Sequence, residues 1–358
     1  MITKNSQQLH PIMITNYGCG PDAFFAKYLE DTMKDDPYLV LEVDEHSGDA
    51  GIVTRLEAYL DTLKRPKKEK VEDRQDDLNV VRPDGVVSFI NPSKKIKEFD
   101  NTLYMSYVSG HSNVWAAAFQ SVGIDARIMP KPDAMSEELG RKFVSSKECH
   151  PYLVTTGDMV KMVQSEGFDP DRSAFVMLNF DGSCRLSQYG LSQKLVLKRL
   201  GLPHIPVIAP ITSIRHDEAT QMFGNRWAMN VWKGWLAIDV LTKKLLHIRP
   251  YEVNVGQTEE VYEKAVEDIS TGLLDGKFSQ HLDESIAAMD SIPVKREVRP
   301  VVGIVGEFYS CMNSWANNDI IKVMESLGVE VRYGPSTTDY LVYFNEVYPG
   351  THLSRREY

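Results

Sequence analysis

Four cysteines, Cys19, Cys149, Cys184 and Cys311, are the side chains of this sequence best suited to chemistry. Cys149 lies in Lys147-Glu148-Cys149-His150-Pro151-Tyr152, just ahead of a stretch, 153–164, whose apolar spacing predicts a helix. A thiol at a helix start meets unpaired N–H groups and the positive end of the helix dipole, which favour the thiolate and hence metal ligation. Cys19 lies between glycines in Gly18-Cys19-Gly20-Pro21-Asp22, and Cys184 lies in Asp181-Gly182-Ser183-Cys184-Arg185. Small neighbours let the backbone approach a bulky inorganic cluster and offer N–H groups to its sulfides, and Arg185 could offset the negative charge. The separations match no zinc-finger or C-x-x-C pattern, and in a reducing cytosol four cysteines are not a disulfide framework. Spacing alone therefore leaves a second reading open, that of buried or idle thiols.

Acid–base and metal candidates lie elsewhere. Asp44-Glu45-His46 combines carboxylates and imidazole that suit a divalent ion, or caps a helix beginning near Asp49. His111, in Ser109-Gly110-His111-Ser112-Asn113, and Glu307 fall in comparable loops after strands and are candidates to face a substrate. His150 either donates to a cluster held by its neighbour or is a surface residue. No Gly-rich P-loop is present, so any use of ATP would belong to a partner. No βα turn carries G-x-G-x-x-G, which disfavours a nicotinamide dehydrogenase.

These residues need a scaffold, and the apolar periodicity supplies one. Residues 12–63 read as strand, helix, strand, helix, a βαβα unit that implies parallel pairing. From 64 to about 85 the chain turns to Lys-Arg-Pro-Lys-Lys-Glu-Lys and then Asp-Arg-Gln-Asp-Asp, with almost nothing apolar to bury, so 64–98 is expected to be a solvated linker. Next come a strand at 102–108, a turn at 109–113, a helix at 114–122 and a strand at 124–129. Strands at 174–178 and 205–209 flank a helix at 187–200, and 218–247 reads as helical, with Trp227, Trp232 and Trp235 as core or interface anchors. Two further helices, 257–274 and 281–289, look exposed. Near the C-terminus the plan recurs: a strand at 301–305, a loop to Asn318, a helix at 319–327 and a strand at 329–333. Ser121-Val122-Gly123-Ile124-Asp125-Ala126-Arg127 lies over Ser326-Leu327-Gly328-Val329-Glu330-Val331-Arg332 without a gap. The expected fold is thus α/β, with two Rossmann-like three-layer halves and mainly parallel sheets, divided as 1–63, a 64–98 linker, a first half at 99–215, a helical connection at 216–295 and a second half at 296–358.

In this plan Cys19, Cys184 and Cys311 follow strands, where open parallel sheets bind their ligands, while Cys149 starts a helix. The formal net charge of −10, with no basic stripe, argues against a general nucleic-acid or anionic-membrane binder. No apolar run approaches the roughly 18 to 20 residues that span a bilayer, and the first residues hold no signal-peptide core, so a cytoplasmic protein is expected. Its partners are then proteins or small molecules.

Several motifs together resemble the 2-hydroxyacyl-CoA dehydratase and benzoyl-CoA reductase family, in particular the branch related to acyl-CoA dehydratase activase, or CoA-protein activase. They are Glu148-Cys149-His150-Pro151-Tyr152 with Thr156-Gly157-Asp158, Gly182-Ser183-Cys184-Arg185 with Gln188-Tyr189, and Arg299-Pro300-Val301-Val302-Gly303-Ile304-Val305-Gly306-Glu307 with Ala316-Asn317-Asn318. Asn16-Tyr17-Gly18-Cys19-Gly20-Pro21-Asp22 and Asp44-Glu45-His46-Ser47-Gly48-Asp49-Ala50-Gly51 with Thr54-Arg55-Leu56-Glu57-Ala58 resemble a segment that dehydratase subunits carry at their C-terminal end. The resemblance therefore implies that residues 12–63 complete the C-terminal half, as a circular permutation would. It further implies a [4Fe–4S] cluster held by Cys149, Cys184 and Cys19, with Cys311 either idle or a fourth ligand. His150 and Ser183 stand where the family motif has Tyr and Pro, so both cluster loops are altered.

The activity so implied is low-potential electron transfer, or reduction of a CoA thioester to a ketyl radical that allows its hydroxyl to be eliminated. The partners implied are an ATP-hydrolysing activator, the CoA thioester, and a second subunit, identical or not. A cofactor-free binding or assembly module with the same fold is the alternative.

Overall fold

The computed structural model describes residues 10–16, 20–33, 36–43, 48–64, 100–145, 147–179, 184–211, 218–334, 336 and 339. Cys19, Asp44-Glu45-His46, Ser183 and the expected linker beyond Lys64 lie outside them. The N-terminal segment forms β1 (Ile12–Thr15), α1 (Asp22–Met33), β2 (Leu39–Glu42) and α2 (Asp49–Leu63), the βαβα order that the sequence predicts. Strands β1 and β2 pair in parallel as a two-stranded sheet.

The central unit contains β3 (Thr102–Met105), α3 (Gly110–Gln120), β4 (Ala126–Ile128), α4 (Ala134–Arg141), α5 (His150–Val163), β5 (Ser173–Val176), α6 (Tyr189–Arg199) and β6 (Val207–Ile208). Its four strands are all parallel and run in the order β4-β3-β5-β6. The period-2 alternation of strands sorts the side chains onto two faces. Leu103, Met105, Ala174, Val176 and Ile208 pack with Trp115 and Phe119 of α3, while Phe175, Val207 and Tyr104 pack with Met159, Val160, Val196 and Leu197 of α5 and α6. Every residue of β5 is buried, as befits an interior strand covered on both faces. The chain leaves β3 for one face and β5 for the other, so the ends of these neighbouring strands form the switch point where such sheets hold ligands.

Two details of this unit depart from expectation. The residues 110–113, expected as a turn, already belong to α3: Gly110 admits Tyr262 so closely that an added Cβ would lie 2.9 Å from its hydroxyl. Helix α4 is additional, started by polar chemistry. Asp133 accepts from the Ser136 N–H at 3.0 Å while the Asp133 N–H donates to Ser136 Oγ at 3.2 Å, a reciprocal cap.

A helical layer follows, made of α7 (Glu218–Ile248), α8 (Gln257–Asp275) and α9 (Phe278–Asp290). Gly224, at φ 87°, breaks the regular geometry of α7 near its start. Helices α8 and α9 are half-buried rather than exposed, because Val266, Ile269, Leu273 and Met289 close a second core against Val114 of α3 and Ile238 and Leu241 of α7. Trp227 lies in the core against Phe119 and Phe223, as an anchor should.

The C-terminal unit is β7 (Val301–Ile304), α10 (Phe308–Met312), α11 (Ile320–Ser326) and β8 (Glu330–Tyr333). The aligned repeat is matched in conformation: Gly123 and Gly328 both end a helix at positive φ, 88° and 89°, before a parallel strand. Ionic groups fix this unit to the helical layer, with Arg249 on Glu325 at 2.7 Å and Glu330 accepting from the Tyr251 hydroxyl at 2.9 Å. Asn313 Nδ2 also donates to the carbonyls of Tyr107 and Val108, at 3.2 and 3.1 Å, just beyond β3.

The expected permutation would place β1 and β2 beside β7 and β8. Among the described strands these remain two separate two-stranded sheets. Helix α1 packs instead on the central unit, because Phe24, Lys27 and Tyr28, at helical spacing, share one face. Phe24 meets the rings of Tyr152 and Tyr189 at 5.0 and 5.8 Å, Lys27 Nζ donates to the Phe143 carbonyl at 2.6 Å, and the Tyr28 hydroxyl donates to the Gln188 carbonyl at 3.1 Å.

Candidate functional site

Cys149 is the N-cap of α5, in extended conformation with Pro151 in the first turn, as its sequence suggests. Its sulfur makes no cap hydrogen bond and packs against the cluster of Phe24, Tyr152, Met177 and Tyr189. Cys184 opens a short 3-10 turn, Arg185–Gln188, and is exposed. Arg185 joins the two loops: its Nη1 donates to the Lys147 carbonyl at 3.0 Å. In this position the guanidinium braces the backbone two residues before Cys149.

Tyr189, first residue of α6, senses both thiols. Its phenol is pushed far above its usual range, first by burial, then by the neighbouring Cys149 thiol and by the charges of Glu307 and Cys184. Cys149 and Leu186, two residues after Cys184, pack against the buried cluster that holds this ring. Phe24, five positions after Cys19 in the sequence, stacks on the same ring at an interplanar angle of 27°.

Other candidates have structural occupations. His150 is half-exposed and its Nε2 lies 3.3 Å from Glu137 Oε1, tying α5 to α4. Glu307 caps α10, accepting from the N–H groups of Tyr309 and Ser310 at 3.0 and 2.8 Å, so its carboxylate is committed to a helix end. Cys311 is buried in α10, and burial together with the Glu307 charge raises its thiol pKa. That environment favours a neutral thiol and suits an idle cysteine better than a ligand.

His111 is part of a chain of polar groups. Its Nε2 lies 2.9 Å from Asp239 Oδ1 of α7 and its Nδ1 lies 2.9 Å from Ser109 Oγ. Both His111 and Asp239 are buried, at 5% and 1% exposure. Neither Ser109 nor Asp239 stood out in the sequence, since Asp239 lies 128 positions from His111.

A third group missed in the sequence is Asp158, fully buried in α5 with neither carboxylate oxygen hydrogen-bonded. Burial pushes its pKa up to about 7. A cleft of about 450 Å³ opens between the N-terminal segment and the loop ahead of Cys149, lined by Lys27, Glu30, Glu42, Lys147, Glu148 and Arg199. Opposite charges alternate around it, and burial lowers the Lys27 pKa to about 8 against the opposing pull of Glu148.

Two described thiols from separate loops, with an arginine behind them and an aromatic floor, suit part of a thiolate cluster. No group of three or more Cys, His, Asp or Glu is placed to hold a metal among the described residues, which do not include Cys19. No helix among them is long and apolar enough to cross a membrane. No protein-family model matches the chain, and no curated protein matches it significantly. What stands is an α/β protein with mainly parallel sheets, in which the loops that carry Cys149 and Cys184 meet beside the central sheet.

Proposed function

We propose that this protein is an iron–sulfur protein built from Rossmann-like halves, akin to 2-hydroxyacyl-CoA dehydratase subunits, in which Cys149, Cys184 and Cys19 hold a [4Fe–4S] cluster. The observation that carries the reading is that the loops of Cys149 and Cys184 pack on the cluster around Tyr189 and are joined by Arg185. When bound, the cluster supplies a one-electron couple. The residues of the chain set its surroundings. Tyr189, packed beside Cys149, would offer its hydroxyl to that sulfur and so raise the potential, and the Arg185 guanidinium would add positive charge nearby. Cys184 is exposed, leaving that side open to an electron donor or a substrate. By the family resemblance the donor would be an ATP-hydrolysing activator, and a CoA thioester would be the acceptor in the dehydratase version.

The test is spectroscopic and functional. Protein reconstituted without oxygen should show a visible sulfur-to-iron absorption that bleaches on one-electron reduction, and Tyr189→Phe should lower the reduction potential while keeping the colour. Colourless protein after reconstitution would leave a cofactor-free binding module as the reading.

A further inference from the structure

The second chain of polar groups at the sheet's carboxyl edge points to a different chemistry. Ser109 sits at the N-cap of α3, four residues past the end of β3, where a serine hydroxyl normally accepts from a first-turn N–H. Here it makes no such bond and meets His111 Nδ1 instead, at 2.9 Å. The buried carboxylate of Asp239 takes the other nitrogen, Nε2, at 2.9 Å. A carboxylate accepts and does not donate, so it fixes the imidazole with its proton on Nε2. Nδ1 is then left with a lone pair facing the Ser109 hydroxyl, the arrangement of an activated nucleophile, its base and the group that orients the base.

The scaffold supports the same assignment. The turn from strand to helix presents Ser109 half-buried at the edge while His111 and Asp239 stay inside. The N–H groups of Gly110 and His111, at the first positions of α3, have no carbonyl partner within the helix and are donors for a developing oxyanion. Gly110 has a reason of its own: it lets the first turn of α3 press on Tyr262, Val266 and Ile238, which holds the helix against α7, the carrier of Asp239.

We propose that Ser109 is the nucleophile of an acyl-transfer site, with His111 as general base and Asp239 as positioning residue, acting on an activated acyl group such as an ester or thioester. In the first step Ser109 Oγ bonds to the acyl carbon as its proton passes to His111 Nδ1. The bond to the leaving oxygen or sulfur breaks and the leaving group departs with that proton, as an alcohol or thiol. Water then attacks the acyl-serine, gives its proton to Nδ1, and releases the carboxylic acid while Ser109 recovers its hydrogen. No electron is gained or lost, and no residue proposed for the iron–sulfur centre takes part.

The experiment uses the full chain without reconstitution. A fluorophosphonate and, as a smaller probe, p-nitrophenyl acetate are incubated with the protein, and the modified peptide is located by mass spectrometry. One label per chain on Ser109 is expected, absent in Ser109→Ala and at least about 100-fold slower in His111→Gln. Asp239→Asn keeps the shape of the buried side chain, frees the imidazole to take its other tautomer and slows labelling at least about 10-fold. The tautomer is read directly from the nitrogen shifts of the His111 ring in the wild-type protein, which does not depend on any variant folding. Hydrogen on Nε2 with a bare Nδ1 is expected. Hydrogen on Nδ1, no modification of Ser109 by either probe, or labelling that persists undiminished in folded His111→Gln would overturn the proposal.

Discussion

Asp158 should make the protein more stable in mild acid than at neutral pH, and replacing it with Asn should remove that dependence. The side chain is fully buried in α5, and both oxygens lack hydrogen-bond partners. The nearest cation, Lys161, is 3.9 Å away and already donates to Asp133 and Ser136 at 3.0 and 2.7 Å. Ser136 Oγ in turn donates to Asp133. Burial therefore dominates over the opposing pulls of Ser136 and Lys161 and lifts the carboxyl from 3.8 to about 7. Below pH 4 Asp158 is protonated whether the chain is folded or unfolded, and carries no penalty. Between about pH 4 and 7 only the unfolded carboxyl ionises, so stability falls as pH rises. Above pH 7 the full cost is present, about 4 kcal/mol at about 1.4 kcal/mol per pH unit. Urea unfolding of the wild type and Asp158→Asn at several pH values isolates this group. The variant should match the wild type near pH 4 and exceed it by up to about 4 kcal/mol at pH 8. A difference that stays flat with pH, or a variant less stable at pH 8, would refute the reasoning.

Three further outcomes follow from packing. Gly157→Ala should destabilise by about 1–3 kcal/mol or more in urea unfolding, because its Cβ would run into the Ser136 carbonyl where α5 presses on α4. Phe24→Ala should cost about 3–5 kcal/mol and expose α1 to limited proteolysis ahead of the central unit, since Phe24 is fully buried against Tyr152 and Tyr189. Arg249→Met should cost about 3–5 kcal/mol by the same unfolding assay, because it strands the buried carboxylate of Glu325 and removes a partner of Glu259.

Much of the scaffold could be read from the chain because its strands and long helices carry clean apolar periods. The parallel pairing follows from alternating strands and helices, and the matched glycines at 123 and 328 mark the repeat within the sequence itself. Helix α4 carries little signal in the sequence because the residues it buries are Ser136, Leu139 and Gly140, which make a weak apolar stripe. The start of α3 was hidden for a related reason: Gly110-His111-Ser112-Asn113 has the composition of a turn, and packing on α7 and α8 overrides it. Helices α8 and α9 bore a readable signal, since Val266, Ile269 and Leu273 recur at helical spacing, but polar residues around them suggested exposure. The candidate site divides the same way. Cys149 at a helix start was legible from Pro151 and the following apolar spacing. Its nearness to Cys184 was expected only from family resemblance, and the docking of α1 on the central unit depends on a face that sequence spacing shows without naming its partner. Ser109 and Asp239 were beyond reach, because a contact across the fold leaves no local pattern.

The central claim, a cluster held by cysteines from separate loops, is tested most directly by iron and sulfide analysis of protein purified and reconstituted without oxygen. The wild-type chain should hold about four irons and four sulfides. Cys149→Ser, Cys184→Ser and Cys19→Ser should each lose most of them, and Cys311→Ser should retain them. Iron-free wild-type protein, or full loading in Cys149→Ser and Cys184→Ser, would contradict the account.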